Sequence, residues 1–170
     1  IVGAVTKRKK TYTAIKYFLD NFSDILEAKL YVIGPIGGDI KELDLEYINK
    51  CKALGANNKD KVVFTGNLDK SEVLNYFSVA KGLIFFSESE GFGSVVIEAQ
   101  IHNCVPIVTG FGGIEKELID NNVNGFILNS DTEVVDLKSI EKLISTDSMA
   151  KNSYYKYNPK QVFSSYKKIY

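Results

Sequence analysis

Short apolar runs alternate along the chain with segments whose apolar residues recur every three or four positions. The runs Ile1–Val5, Ala28–Ile33, Lys61–Thr65, Gly82–Phe86, Val105–Thr109 and Gly125–Leu128 predict strands. They are short and mostly continuous rather than alternating, as in parallel strands buried on both faces. Helical periodicity covers Tyr12–Phe22, Ile40–Leu54, Glu72–Ala80, Ser94–His102, Glu115–Asp120 and Val134–Ile144. In the first of these, Ile15, Phe18, Leu19 and Phe22 form one apolar stripe. Asp69 or Ser71 supplies an N-cap for the third helix, and Asn103 sits where the fourth must end. Beyond it, Ser145–Pro159 reads as a polar, Tyr-rich connector and Gln161–Tyr170 as a short terminal helix.

Strand–helix–strand repetition implies right-handed crossovers and an α/β fold. The expectation is one three-layer, Rossmann-like domain over residues 1–170, with a mainly parallel six-stranded sheet and helices on both faces. Ligands of such sheets bind beyond the carboxyl ends of the strands. Chemistry is therefore expected after Val5, Ile33, Thr65, Phe86 and Thr109.

Composition narrows the function classes. The 170 residues carry 21 basic and 21 acidic side chains, one His, two Cys and no Trp. A hydrophobic fraction of 45% excludes intrinsic disorder. A formal charge of zero argues against a nucleic-acid binder acting through its overall field. His102, Cys51 and Cys104 are too few for a soft-ligand metal site, and they read as a structural histidine and two free packed thiols. No apolar run approaches the ~20 residues of a membrane span. The chain opens Ile1-Val2-Gly3 inside a strand-like run and reads as a piece of something larger.

The most informative stretch is Ser87-Glu88-Ser89-Glu90-Gly91-Phe92-Gly93-Ser94-Val95-Val96-Ile97-Glu98-Ala99, which follows a buried strand and opens a helix. Gly91 and Gly93 permit a tight turn and close approach by a ligand. The unpaired N–H groups at the start of the helix form a cradle for a phosphate. Glu90 and Glu98 would repel the phosphate itself, so their natural partners are hydroxyl groups of a sugar or ribose, since a carboxylate accepts from both arms of a vicinal diol. An ordinary turn with solvated glutamates accounts for the spacing equally well. The dinucleotide glycine fingerprint and the P-loop are both absent. The run Lys7-Arg8-Lys9-Lys10 stands at the same carboxyl edge of the sheet, although four such residues alone are usually a solvated loop. Gly112-Gly113 with Glu117 reads either as part of the site or as a turn before an exposed helix.

Taken together, the stretch from Ser87 to Ala99 resembles the glutamate–x7–glutamate motif of retaining glycosyltransferases of the two-Rossmann-domain architecture, specifically family 4 (group 1). The likeness continues through Pro106-Ile107-Val108-Thr109, Gly112-Gly113, Glu117-Leu118-Ile119 and Asn124-Gly125-Phe126, and covers roughly residues 1–130. It implies the C-terminal, donor-binding half of a GT-B fold. An acceptor-binding domain would precede Ile1, with the helix over 160–170 packing on it. The resemblance implies that Glu90 bonds the donor sugar's hydroxyls and that Glu98 binds the ribose diol. The backbone of Phe92, Gly93 and Ser94 would face the sugar and diphosphate, with Gly91 and Val95 also in the donor site. Gly34, Gly66, Asn67 and Leu68 would surround the base. The family's Lys after the first strand falls close to Lys9, whereas Ala4 replaces its usual Arg, a loss for which Arg8 can compensate.

The implied reaction moves a hexose from UDP or GDP to an acceptor hydroxyl with retention. Lys9, Arg8 and the helix N-terminus meet the charge on the leaving diphosphate, with no cofactor and no metal. The implied partners are the nucleotide-sugar donor and, through the preceding domain, an acceptor glycan, lipid-linked sugar or protein. Neither nucleic acid nor membrane contact is expected of this chain. A cytoplasmic location is implied, any attachment to the inner membrane lying in the preceding domain. Two other classes fit the residues: a non-catalytic nucleotide-sugar binding module, and an epimerase or dehydrogenase fragment, the latter disfavoured by the missing glycine fingerprint.

Overall fold

The computed structural model describes residues 1–37 and 44–146. The predicted start of the second helix at Ile40, the connector after Thr146 and the terminal helix lie outside the described residues. Among the described residues the order is α1 (Thr11–Phe22), β1 (Leu30–Ile33), α2 (Leu45–Ala56), β2 (Val62–Gly66), α3 (Lys70–Val79) and β3 (Gly82–Phe85). α4 (Ser94–Ile101), β4 (Val105–Thr109), α5 (Glu115–Leu118), β5 (Phe126–Leu128) and α6 (Leu137–Ser145) complete it.

Every strand pairing is parallel. β1 pairs with β2 from Leu30↔Val62, β3 with β4 from Gly82↔Val105, and β4 with β5 from Ile107↔Phe126. The expected six-stranded sheet is instead a two-stranded and a three-stranded piece among the described residues. The run Ile1–Val5 makes a single bridge, Val2 to Ile33, rather than a full strand. Gly3, at φ +138°, interrupts its extended backbone, and a glycine has no side chain to pack in a ladder. Even so, the run hydrogen-bonds along β1, with Gly3 N donating to Ile33 O at 2.8 Å and Val5 N to Pro35 O at 3.1 Å. On its other side it lines a small cavity with Ile84, Phe85 and Phe86 of the β3 region. It therefore lies between the two pieces. From it the chain winds out through β1 to β2, then crosses back to β3, β4 and β5. The order reverses between the run and β3, which is where such folds open a crevice.

Buried side chains fall into two cores, one on each face. Ile84 and Phe86 join Val5, Val32, Ile107 and residues of α1, α2 and α6. Leu83 and Phe85 join Ile33, Val108 and residues of α3, α4 and α5. Strict alternation along β3 thus sends successive residues to opposite layers, which is why the run reads as continuously apolar in sequence. Asp69 caps α3 in a reciprocal box with Glu72, both bonds 2.9 Å. Asn103 ends α4 in the left-handed region at φ 57°, as its position predicts. Among the described residues no helix is long and apolar enough to cross a membrane.

Candidate functional site

Three glycines mark the carboxyl edge of the N-terminal half: Gly3, Gly34 after β1 and Gly66 at the end of β2. Gly34, at φ +140°, approaches the backbone of Gly3 so closely that a Cβ would stand 2.2 Å from the Gly3 carbonyl oxygen. Its amide donates to Gly66 O at 2.8 Å. Gly34 and Gly66 thus share one edge, with Asn67 exposed beyond them and Leu68 packed against the α3–α4 core.

The loop after the N-terminal run turns sharply, with Lys10 N donating to Lys7 O at 2.8 Å and Lys10 itself left-handed at φ 45°. Few non-glycine residues adopt this conformation. The turn sends Lys9 back over the sheet. Its stem passes beside Gly3, and its ammonium lies 4.9 Å from the Phe85 ring centroid. There Lys9 Nζ meets Glu90 Oε1 at 2.5 Å. Arg8 joins from the same loop: Nη1 is 3.6 Å from Glu90 Oε1 and donates to Ser89 O at 2.9 Å. Glu88 N donates in return to Arg8 O at 2.9 Å. The two loops flanking the crevice are therefore clasped by backbone and side chain. Both members of the Lys9–Glu90 pair are well covered, with side-chain exposures of 17% and 13%.

Past Glu90 the chain runs through exposed Gly91 and Phe92 to Gly93, the N-cap of α4 at φ 72°. A Cβ on Gly93 would lie 2.9 Å from Leu118 Cδ1, so the residue is held by close packing as well as by its backbone. Among the described residues no side chain caps the first turn of α4, formed by Ser94 and Val95. Unpaired N–H groups there carry the positive end of the helix dipole. Glu98, one turn further on, stands outside the Lys9–Arg8–Glu90 cluster. It pairs with Lys70, the first residue of α3, at 2.5 Å.

A third carboxylate had no assigned role in the sequence. Glu115 is buried, and its Oε2 accepts from Phe111 N at 3.0 Å and Gly113 N at 2.9 Å. Burial pushes its pKa up, and the N–H groups of Phe111, Glu115 and Gly113 outweigh this, holding the carboxyl below its ordinary value. It ties down the Gly110–Gly113 loop, whose Phe111 packs beneath Gly93. Sequence reasoning named exposed Glu117 instead. The usable signal was an acidic residue directly after Gly-Gly-Ile at the start of a short helix. Buried Gln100 ties α4 to the α5–β5 region, its Nε2 donating to Leu118 O and Asn124 O, each at 3.1 Å.

His102 Nδ1 lies 2.8 Å from Glu98 O at the end of α4, and its ring packs on Phe77, a structural placement. Burial pushes the Cys51 and Cys104 thiols up to about 11 and about 12, so both stay protonated and unreactive. Among the described residues no group of three or more His, Cys, Asp or Glu side chains could hold a metal ion.

The sequence and the fold are similar to those of known proteins. The sequence profile described as "Glycosyl transferases group 1" matches residues 1–161. The capsular polysaccharide biosynthesis glycosyltransferase CapM of Staphylococcus aureus is 27% identical over 148 residues, 87% of this chain and 37% of that protein. An uncharacterized glycosyltransferase of Methanocaldococcus jannaschii is 32% identical over 127 residues, 73% of this chain and 30% of that protein. The chain spans well under half the length of these relatives. The fold matches the pneumococcal O-GlcNAc transferase GtfA with a TM-score of 0.70 at 18% identity, covering 99% of this chain and 34% of that one. It also matches the C-terminal domain of a group 1 glycosyl transferase, LpcC, of Francisella tularensis, at TM-score 0.66 and 23% identity over 90% of this chain and 80% of that one. With the profile spanning almost its whole length, the chain belongs to the glycosyl transferases group 1 family.

Proposed function

We propose that this chain is the donor-binding half of a glycosyltransferase that moves a hexose from UDP or GDP to an acceptor hydroxyl with retention of configuration. The observation that carries the proposal is the meeting of Lys9, Arg8 and Glu90 at the crevice, ahead of the uncapped start of α4. Two cations meet a carboxylate there, and the chain leads from it within four residues to the uncapped start of a helix, the combination a sugar diphosphate needs. Proteins of the same fold have been solved with UDP and GlcNAc and with UDP-glucose.

In this reading negative charge builds on the departing diphosphate as the sugar becomes oxocarbenium-like. Lys9, Arg8 and the first turn of α4 face that charge, and preorganised groups of this kind are often worth ~3–4 kcal/mol each. No metal takes part. Glu90 exchanges its ion pair for the donor sugar's hydroxyls and positions the sugar, while Glu98 takes the ribose diol. Gly34, Gly66, Asn67 and Leu68 border the base. The acceptor, a glycan, lipid-linked sugar or protein, is presented by a further domain, so the isolated chain binds donor without turning it over. The protein works in the cytoplasm, where it meets its nucleotide sugar.

Calorimetry of the chain with UDP-, GDP- and ADP-sugars in EDTA is the direct test. Binding of one of them without divalent metal is the expected result. Failure of all three to bind overturns the reading, and binding that appears only when Mg²⁺ or Mn²⁺ is restored overturns its metal-free part.

A further inference from the structure

Glu98 is held by a residue that no motif of the sequence marks. Lys70 is the first residue of α3, and its ammonium lies 2.5 Å from Glu98 Oε1 on α4. The placement is built from below. The Asp69–Glu72 box fixes the first turn of α3, so the backbone of Lys70 is set before its side chain reaches across. The Gly66-Asn67-Leu68 segment that leads into this turn runs from the end of β2, on the same edge as Gly34.

The pair does little for the fold. Lys70's side chain is 62% exposed, and an ion pair this open to water contributes almost nothing to stability. Glu98 is better covered, at 23%. A carboxylate on a side chain with three rotatable bonds gains nothing from a diol unless it is already turned toward it, and near a diphosphate it also suffers like-charge repulsion. One ammonium on Oε1 answers both needs. It fixes the orientation of the carboxylate and offsets its charge, and it leaves acceptor positions on both oxygens, because an ionised carboxylate has about four.

We propose that Lys70 is a positioning residue for nucleotide binding, acting through Glu98 rather than on the nucleotide itself. This rests on the donor-binding reading above and deepens it by naming what prepares the ribose-binding carboxylate.

A double-mutant cycle tests it. Binding of UDP, GDP and ADP to the chain is measured by calorimetry, and the tightest is carried through Lys70→Met, Glu98→Gln, the double variant and Lys70→Arg. Lys70→Met is expected to weaken the nucleotide roughly three- to tenfold, a size typical of charge-pair couplings at partly exposed sites. In the Glu98→Gln background the same change has no further effect, because no carboxylate is left to orient. Lys70→Arg restores most of the parent's affinity, which a merely structural role would not require. An equal loss in both backgrounds means that Lys70 touches the nucleotide directly and overturns the proposal, as does a Lys70→Met variant that binds like the parent. If the parent chain binds none of the three nucleotides, the donor-binding reading itself falls and takes this one with it. If the parent binds and only the cycle fails, the donor-binding reading stands.

Discussion

Glu90 and Glu98 come from one continuous segment, and each meets a lysine supplied by another part of the sheet's edge. The similarity ends at their surroundings. The Lys9–Glu90 pair is closed in, flanked by Arg8 and by the Phe85 ring, and it clasps two loops across the crevice. The Lys70–Glu98 pair bridges two helices in the open, with one partner mostly in water. The difference teaches what each ion pair is for. On the proposed function, the covered pair, whose loops are also joined by backbone bonds, is a preassembled anion site in which Glu90 occupies the cations until the diphosphate arrives. On the same proposal, the more open Lys70–Glu98 pair serves to orient its carboxylate.

The comparison is broken most directly by removing the carboxylates. If the proposed roles hold, Glu90→Ala deletes the sugar's acceptor and releases Lys9 and Arg8 to the diphosphate. Affinity for the sugar nucleotide should fall about 10–100-fold, the size of a lost hydrogen bond to a charged group. Free UDP or GDP should bind within about threefold of the parent, or more tightly, because it no longer competes with Glu90. Equal losses for both ligands in calorimetry would erase the distinction between the two glutamates. Glu98→Ala is the opposite case. It should weaken sugar nucleotide and free nucleotide alike, by about tenfold, because the ribose is common to both.

Glu115 sharpens the contrast as a buried carboxylate whose bonds go to backbone N–H groups. Its partners are backbone N–H groups of its own loop, so Glu115→Gln should cost about 1 kcal/mol of stability, roughly 2–4 °C in Tm, and leave the ratio of sugar-nucleotide to nucleotide affinity unchanged. The pH dependence follows from the sign of its shift. Its folded pKa lies below the ordinary 4.5, so its stabilisation is full above that pH and is lost as pH falls through the folded value. The gap in Tm between parent and variant should therefore shrink as pH is lowered below about 4.5. A gap that widens on acidification would contradict the assigned hydrogen bonds.

How much of this was legible in the sequence varied with the range of the interaction. Local signals worked: the capping oxygen of Asp69, the left-handed Asn103 and the continuous apolar character of β3 and β4 all depend on a few neighbouring residues. The run Ile1–Val5 misled in part, because apolar content predicts burial, whereas a ladder also needs a backbone that stays extended past Gly3. In the site, the spacing of Glu90 and Glu98 and the grouping of Lys7–Lys10 gave the candidate residues. Which lysine meets which glutamate depends on contacts 81 and 28 positions apart in the chain, set only when the loops close. Lys70 was invisible for that reason. The family resemblance places Gly34 near the base, and the structure adds a packing demand from Gly3 that no local pattern carries.

The smallest expected effect tests the comparison from its weak side. Lys81–Glu141 is another 2.5 Å pair, its lysine 58% exposed against 62% for Lys70 and its carboxylate more open, at 47% against 23% for Glu98, and it lies far from the crevice in the fold, between the start of β3 and α6. If exposure alone sets what such pairs contribute to folding, Lys70→Met and Lys81→Met should shift Tm by the same small amount, under about 2 °C. Only the first should change nucleotide affinity. A Tm loss for Lys70→Met clearly larger than for Lys81→Met would mean that the bridge between α3 and α4 holds the fold together. Glu98 would then be fastened for stability, and the contrast between a preassembled anion site and an orienting pair would fail at its second member.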